Sequence, residues 1–198
     1  MSGMNKPAKT DKPFMRRFFE EKRKILLENN NDKQAIDLEI QGRLLISEEY
    51  RRAKTVLIYA ARENEIATKA VILAALCNHK TVALPVCQSD GVMTFCRIGS
   101  LCDLAPGRFG ILEPKDGCEE IVPDGDTLCV CPALCCDMRG YRLGWGAGYY
   151  DRYLAKHDCV KAALCYSDSL IPEFEVFDFD VRMDLIVTES FTRHIRID

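Results

Sequence analysis

The sequence predicts an α/β fold with a parallel-rich sheet, on three observations. Short β-rich runs alternate with helical segments along most of the chain. Several of those runs, TVALPV at 81–86 among them, are apolar at almost every position, as strands covered on both faces are. A glycine-rich stretch lies between a strand and a helix, where open α/β sheets bind ligands.

The elements follow in order. Residues 1–10 read as a loose arm. Asp11 caps a first helix with Pro13 in its opening turn, where a missing N–H is tolerated. Phe14, Phe18 and Ile25 carry that helix to about Leu27, and Asn29, Asn30, Asn31 and Asp32 break it. A second helix starts at Asp32 and runs to about Ala53, with Ile36, Ile40, Leu44 and Leu45 at helical spacing. TVLIYA (55–60) is a strand, and Thr68 caps the helix KAVILAALC. Strands follow at 81–86 and, after a Gly91 turn, at 92–98. A Pro- and Gly-marked stretch (105–125) precedes the strand TLCVCPA (127–133). Beyond the glycine stretch come a helix from Tyr149 to about His157 and strands at 161–167 and 184–189. No repeat or linker divides the chain, so residues 1–198 read as one domain.

Composition narrows the function. Hydrophobic residues make up 47% and charged residues 29%, with a net charge of −3, ordinary for a globular enzyme and wrong for a nucleic-acid binder. No apolar run reaches the roughly 20 residues that span a bilayer. The N-terminal lysines lack a following apolar core, so no secretory signal is expected. Eleven cysteines without a CxxC pair read as small buried hydrophobes rather than zinc ligands. Cys129 and Cys131 alternate along a strand and share a face. A reducing cytosol is the expected compartment.

The segment RGYRLGWGAGYYDRYL (139–154) carries the chemistry. Gly140, Gly144, Gly146 and Gly148 permit positive φ and close approach of a ligand to the backbone amides. A helix starting at Tyr149 adds free N–H groups. Glycine spacing alone leaves a phosphate cradle and a plain turn both open. No Lys-Ser/Thr pair follows, so this is not a Walker loop. Asp151 either complements the helix dipole or holds Mg²⁺. Asp184 is a candidate second oxygen ligand, although spacing does not pair the two. Residues 1–24 hold eight Lys or Arg against three Asp or Glu. Most of these form a solvated face, but Lys12 and Arg16, four apart, can clamp a triphosphate. Glu65, in ENEIAT (63–68), is a substrate ligand or an ordinary loop acid.

These features in this order resemble the 5-formyltetrahydrofolate cyclo-ligase family. The matching segments are KPFMR (12–16), NEIAT (64–68), ALP (83–85), FGILEP (109–114), GYRLGWGAGYYDRYL (140–154) and MDLIVTE (183–189). Arg142 to Asp151 is the specific part. The resemblance implies a three-layer α/β/α sandwich similar to the ribose-5-phosphate isomerase and CoA-transferase group. It implies ATP- and Mg²⁺-dependent conversion of 5-formyltetrahydrofolate to 5,10-methenyltetrahydrofolate, through a phosphorylated formyl group. Lys12, Arg16 and the loop Arg142, Leu143, Gly144, Trp145, Gly146, Ala147, Gly148, Tyr149 and Tyr150 would hold ATP. Ala60, Glu65, Trp145, Gly146, Ala147, Gly148 and Tyr149 would contact folate, with Tyr150 packing. Asp151 and Asp184 would bind Mg²⁺. No side-chain nucleophile is implied, and a cytoplasmic monomer is expected. The chain departs from the family pattern at Cys136-Asp137, at Ala147 and at Ser169, where a Gln for folate-ring recognition is usual. The alternatives are a binding module that kept the loop without turnover and an enzyme of the same fold acting on another small carbonyl or phosphorylated substrate. Lys12, Arg16, Asp151 and Asp184 together favour an enzyme over the binding module.

Overall fold

A computed structural model describes residues 11–28, 30–88, 91–107 and 110–195; the expected arm over 1–10 lies outside them. The chain opens with α1 (Lys12–Glu28), α2 (Asn30–Ile46) and α3 (Glu48–Arg52). Asp11 caps α1 as its sequence implies, accepting the Phe14 N–H at 3.3 Å. The single helix expected over 32–53 is two. Ser47 accepts the Tyr50 N–H and caps α3, because its short hydroxyl competes with the backbone and restarts the helix.

The central sheet has seven strands: β1 (Thr55–Ile58), β2 (Thr81–Cys87), β3 (Met93–Ile98), β6 (Thr127–Pro132), β9 (Val160–Leu164), β11 (Leu185–Val187) and β12 (Thr192–His194), in the order β12-β11-β9-β6-β1-β2-β3. The inner pairs are parallel, and only the two edge pairs, β11–β12 and β2–β3, are antiparallel. Each expected strand is thus present. Those outside the sequence reading are short: β12 at the edge of the large sheet, β4 (Leu104–Pro106) with β5 (Leu112–Pro114), and β7 (Cys135–Asp137), β8 (Arg142–Leu143) and β10 (Leu170–Ile171) in a small second sheet.

Both faces of the large sheet are covered. Val56, Ile58, Val82, Leu84, Leu128 and Val130 meet Ile40 and Leu44 of α2 and Val71, Ile72 and Ala75 of α4 (Lys69–Cys77). The alternate residues Leu57, Ala83, Cys129, Cys131 and Ala163 meet Tyr153 and Leu154 of α5 (Tyr149–Leu154). Cys129 and Cys131 therefore share a face, their sulfurs 3.9 Å apart. Thr68 does not cap α4 with its side chain. Its hydroxyl instead donates to the Tyr59 carbonyl at 2.7 Å, fastening the end of β1 to the start of the helix.

α1 touches α2 and packs its buried face on the small sheet. Met15 and Phe19 sit with Leu134, Cys135, Leu143, Ile171 and Phe174. Arg23 stitches this unit to the large sheet. Its guanidinium donates to the Asn64 carbonyl at 2.9 Å and to the Ala133 carbonyl. Those carbonyls belong to the loops that follow β1 and β6.

Candidate functional site

The loop between β8 and α5 is built by glycine. Gly146 and Gly148 adopt φ of +107° and +69°, a region that costs an L-residue about 1–3 kcal/mol. A Cβ on Gly146 would lie 3.3 Å from the Arg16 guanidinium. Arg16 also donates from Nε to the Gly144 carbonyl at 3.1 Å. The loop and α1 therefore close on each other at the two glycines. Arg152 braces the other side, donating to the Ala147 carbonyl at 2.8 Å and to Gly91 across the β2–β3 turn. The turn that leads into this loop rests on Asp137, which is fully buried. It accepts the Arg139 and Tyr141 N–H groups at 3.0 Å each.

The loop forms one wall of a cavity of about 980 Å³, a volume within the range of ligand sites. Lys12, Arg16, Ala60, Glu65, Asp151 and the loop from Arg142 to Tyr150 all line it. Segments more than 80 residues apart in sequence thus converge. α5 has only six residues, so its dipole is short and contributes less than the sequence reading supposed. An anion here must be held mainly by loop amides and side-chain cations.

Arg142 is the buried cation. Its ion pair with Asp151 spans 3.2 Å. Burial works against its charge, and Asp151 is the largest opposing influence; the balance holds the guanidinium above its ordinary pKa. Its Nε nevertheless lacks a hydrogen-bond acceptor, and Nη2 meets only the Asp151 carboxylate of that ion pair. Unsatisfied buried donors are uncommon in native structures. An oxyanion in the cavity would satisfy this one. Tyr150 packs against Arg142, 5.2 Å from the guanidinium, and edge-on to Phe95 at 6.2 Å. It packs as expected, but it also lines the cavity and its hydroxyl is unpartnered.

The opposite wall is the loop between β1 and α4. Glu65 is buried. Its Oε1 accepts the Trp145 indole N–H at 2.7 Å, and its Oε2 accepts the Arg62 N–H at 2.9 Å. A polar cluster under α2 fixes this loop. Lys33 donates to Asp37 at 2.6 Å and to the Glu65 carbonyl at 2.8 Å. Asp37 also accepts the Ala67 N–H and the Tyr166 hydroxyl. Burial first, then the Asp37 charge, raises the Tyr166 pKa far above its ordinary value, so it remains a donor.

A third wall, residues 175–181, was missed in the sequence. Phe177 and Phe179 stack at 5.3 Å with the Lys12 ammonium over both rings. Lys12 pairs with Asp180, so its charge is already engaged. The only signal for this wall was the acid–aromatic alternation EVFDFD, which has no helix or buried-strand reading.

Asp184 is the one proposed site residue that does not line the cavity. It precedes β11, where its carboxylate accepts the Lys161 N–H at 2.7 Å and lies 3.2 Å from the Lys161 ammonium. These contacts place it at the start of the parallel strands, while the loop lies beyond their carboxyl ends. Asp151 and Asp184 are not brought together as a pair across the cavity. Ser169 is likewise outside the lining residues; it is buried and donates to Asp168 at 3.2 Å.

Known proteins share this sequence pattern and this fold. Residues 8–189 match the model of the 5-formyltetrahydrofolate cyclo-ligase family. The Haemophilus influenzae 5-formyltetrahydrofolate cyclo-ligase is 34% identical over 70% of this chain and 78% of its own length. The mouse enzyme of that name is 27% identical over 75% and 79%. The solved Aquifex aeolicus 5,10-methenyltetrahydrofolate synthetase superposes with a TM-score of 0.80 at 27% identity, covering 94% of both chains. The Mycoplasma pneumoniae 5,10-methenyltetrahydrofolate synthetase, at 24% identity and a TM-score of 0.71 over 90% of this chain and 99% of its own, shares the fold. With a fold, a glycine loop and a family match running through one cavity, the chain belongs to the 5-formyltetrahydrofolate cyclo-ligase family.

Proposed function

We propose that this chain is an ATP-dependent cyclo-ligase that converts 5-formyltetrahydrofolate to 5,10-methenyltetrahydrofolate, releasing ADP and phosphate. One observation carries the reading beyond family membership. The cavity joins a phosphate-ready wall, with the unsatisfied Nε donor of buried Arg142, to a wall where Glu65 and Trp145 offer a carboxylate and an aromatic face. Two substrates of different chemistry have a place in it.

The reaction needs no protein nucleophile. A formamide oxygen leaves poorly. Transfer of the γ-phosphoryl group to that oxygen makes a phosphate leaving group; N10 then attacks the formyl carbon, and phosphate departs with the N10 proton as the ring closes. Phosphoryl transfer relies on positioning and charge neutralisation. Arg16 and Arg142 supply positive charge, and the amides from Gly144 to Tyr149 orient the phosphates. Lys12 joins them by exchanging Asp180 for a phosphate oxygen. Ala60 and Glu65 contact the folate. Trp145, Gly146, Ala147, Gly148 and Tyr149 separate the two substrates and touch both.

Asp151 is a hard oxygen donor beside this loop, the type of ligand Mg²⁺ takes when it bridges a protein to phosphates. Mg²⁺ held there would neutralise charge on the phosphates. Asp184, engaged by Lys161, acts by holding the start of β11 and not as a ligand. The same proposal has the chain work as a cytoplasmic monomer without nucleic-acid or membrane partners. Among the described residues no helix is long and apolar enough to cross a membrane.

The test is direct. Purified protein is mixed with MgATP and 5-formyltetrahydrofolate, and the near-ultraviolet absorbance of the methenyl product is followed. A rise that needs both ATP and Mg²⁺ is expected. No rise at high enzyme concentration, with ATP binding intact, refutes the activity.

A further inference from the structure

We propose that Arg62 is a specificity residue of this cavity, receiving a carboxylate of the folate's glutamyl end. The inference rests on the cyclo-ligase reading and assigns it a residue that no motif of the sequence singled out.

Besides Lys156, five cations among the described residues line the cavity, and they differ in what already holds them. Lys12 pairs with Asp180, and Arg142 with Asp151. Arg152 donates to two carbonyls, and Arg16 to the Gly144 carbonyl. The Arg62 side chain has a single contact of another kind. Its guanidinium lies over the Trp145 ring at 5.7 Å, and its Nε, shielded from solvent, has no acceptor. The ring supports the charge without satisfying the N–H groups. A buried donor in that condition is an open position for an acceptor.

The shelf beneath it is rigid. Glu65 holds the Trp145 indole with one oxygen and the Arg62 backbone N–H with the other. Glu65 therefore links the Trp145 ring to the Arg62 backbone. A planar fork fixed over an indole suits a carboxylate, whose two oxygens match it.

Phosphate is the other oxyanion in this reaction, and the charge pattern assigns it elsewhere. Arg16 and Arg142 flank the glycine loop. Arg62 stands on the loop that also carries Glu63 and the Glu65 carboxylate. A triphosphate placed there would meet like charge, whereas a single carboxylate needs a single cation. In a reduced folate an aromatic aminobenzoyl ring is followed directly by glutamate. An aromatic face with a cation on it is the matching pair.

The test uses the full chain and two ligands, 5-formyltetrahydrofolate and 5-formyltetrahydropteroate, which lacks the glutamate. Trp145 is the single tryptophan, so its fluorescence reports binding at the shelf without requiring turnover. The wild type should bind the pteroate roughly tenfold or more weakly than the folate, the scale of a charge-assisted hydrogen bond. Arg62→Ala should lose affinity for the folate by the same factor and change little for the pteroate. In the coupled assay its KM for folate should rise while kcat and the KM for ATP stay within about twofold. Arg62→Lys, which keeps the charge but not the fork, should fall between. If Arg62→Ala fails to fold, the wild-type comparison and Arg62→Lys decide. Equal losses for both ligands, or a rise in the ATP KM instead, overturn the inference. Discrimination by binding without turnover keeps the inference and removes the cyclo-ligase reading. Turnover with an indifferent Arg62→Ala does the reverse, and binding of neither ligand removes both.

Discussion

The start of α5 and the start of β11 each present an aspartate, and they use it differently. Asp151 follows the glycine loop beyond the carboxyl ends of the strands. It lines the cavity, meets Arg142 at 3.2 Å and accepts the Val181 N–H at 3.3 Å. Asp184 stands before a strand and closes a ladder, taking the N–H and ammonium of Lys161. Its side chain is the more exposed, 37% against 19%, yet it does not line this cavity. Exposure does not decide which of the two acids lines the cavity. Position relative to the strand ends does, because parallel strands leave their crevice at the carboxyl end.

Asp151→Ala should have the largest effect and is the sharpest way to break this comparison. Turnover should fall roughly 10²–10³-fold, the scale of losing one group that stabilises transferring charge. The circular-dichroism melt should show a folded protein, and full activity would refute a role at the phosphates. Gly146→Val comes next. Its φ of +107° and the 3.3 Å approach to Arg16 make strain unavoidable, about 1–3 kcal/mol. The KM for ATP should rise severalfold; an unchanged KM would mean that the loop does not hold nucleotide.

Asp184→Asn sharpens the other half. It should lower stability by about 0.5–1.5 kcal/mol, read as a shift in the denaturation midpoint, with the Mg²⁺ dependence of turnover unchanged. A raised Mg²⁺ requirement would make Asp184 a ligand after all. The smallest effect is chemical. Burial first of all pushes the Cys135 and Cys136 thiols up, and the thiolate is the reactive form. At pH 8 alkylation should mark exposed Cys77 and Cys102 and spare Cys135 and Cys136, as peptide mass mapping would show. A folded-state pKa above the unfolded one means the unfolded thiol releases its proton first. Stability carried by these thiols is therefore present below about pH 9 and lost as pH rises beyond it.

The sequence was most legible where period and punctuation were strong. The inner strands are doubly buried and read as apolar runs, so each was found within a few residues. The glycine loop was found because glycine has a local meaning. Ser47 was missed because a mid-helix serine caps only when its neighbours pack that way. The 175–181 wall was missed because its short acid–aromatic alternation matched neither a helix nor a buried strand. Lys12 was found, but its partnership with Asp180 and the two phenylalanines spans 168 residues and leaves no trace in local pattern.

By itself the sequence determined the α/β class, the order of the inner strands along the chain, the loop and its family. Those depend on local propensity, on burial period and on a motif whose glycines have no substitutes. The tertiary structure alone decided which charges meet. It engaged Lys12 with Asp180, drew Asp184 to Lys161, set Arg142 beside Asp151 and left the Arg62 guanidinium over Trp145. The physical reason is that an ion pair needs a few ångströms of separation in space and requires nothing of separation in sequence.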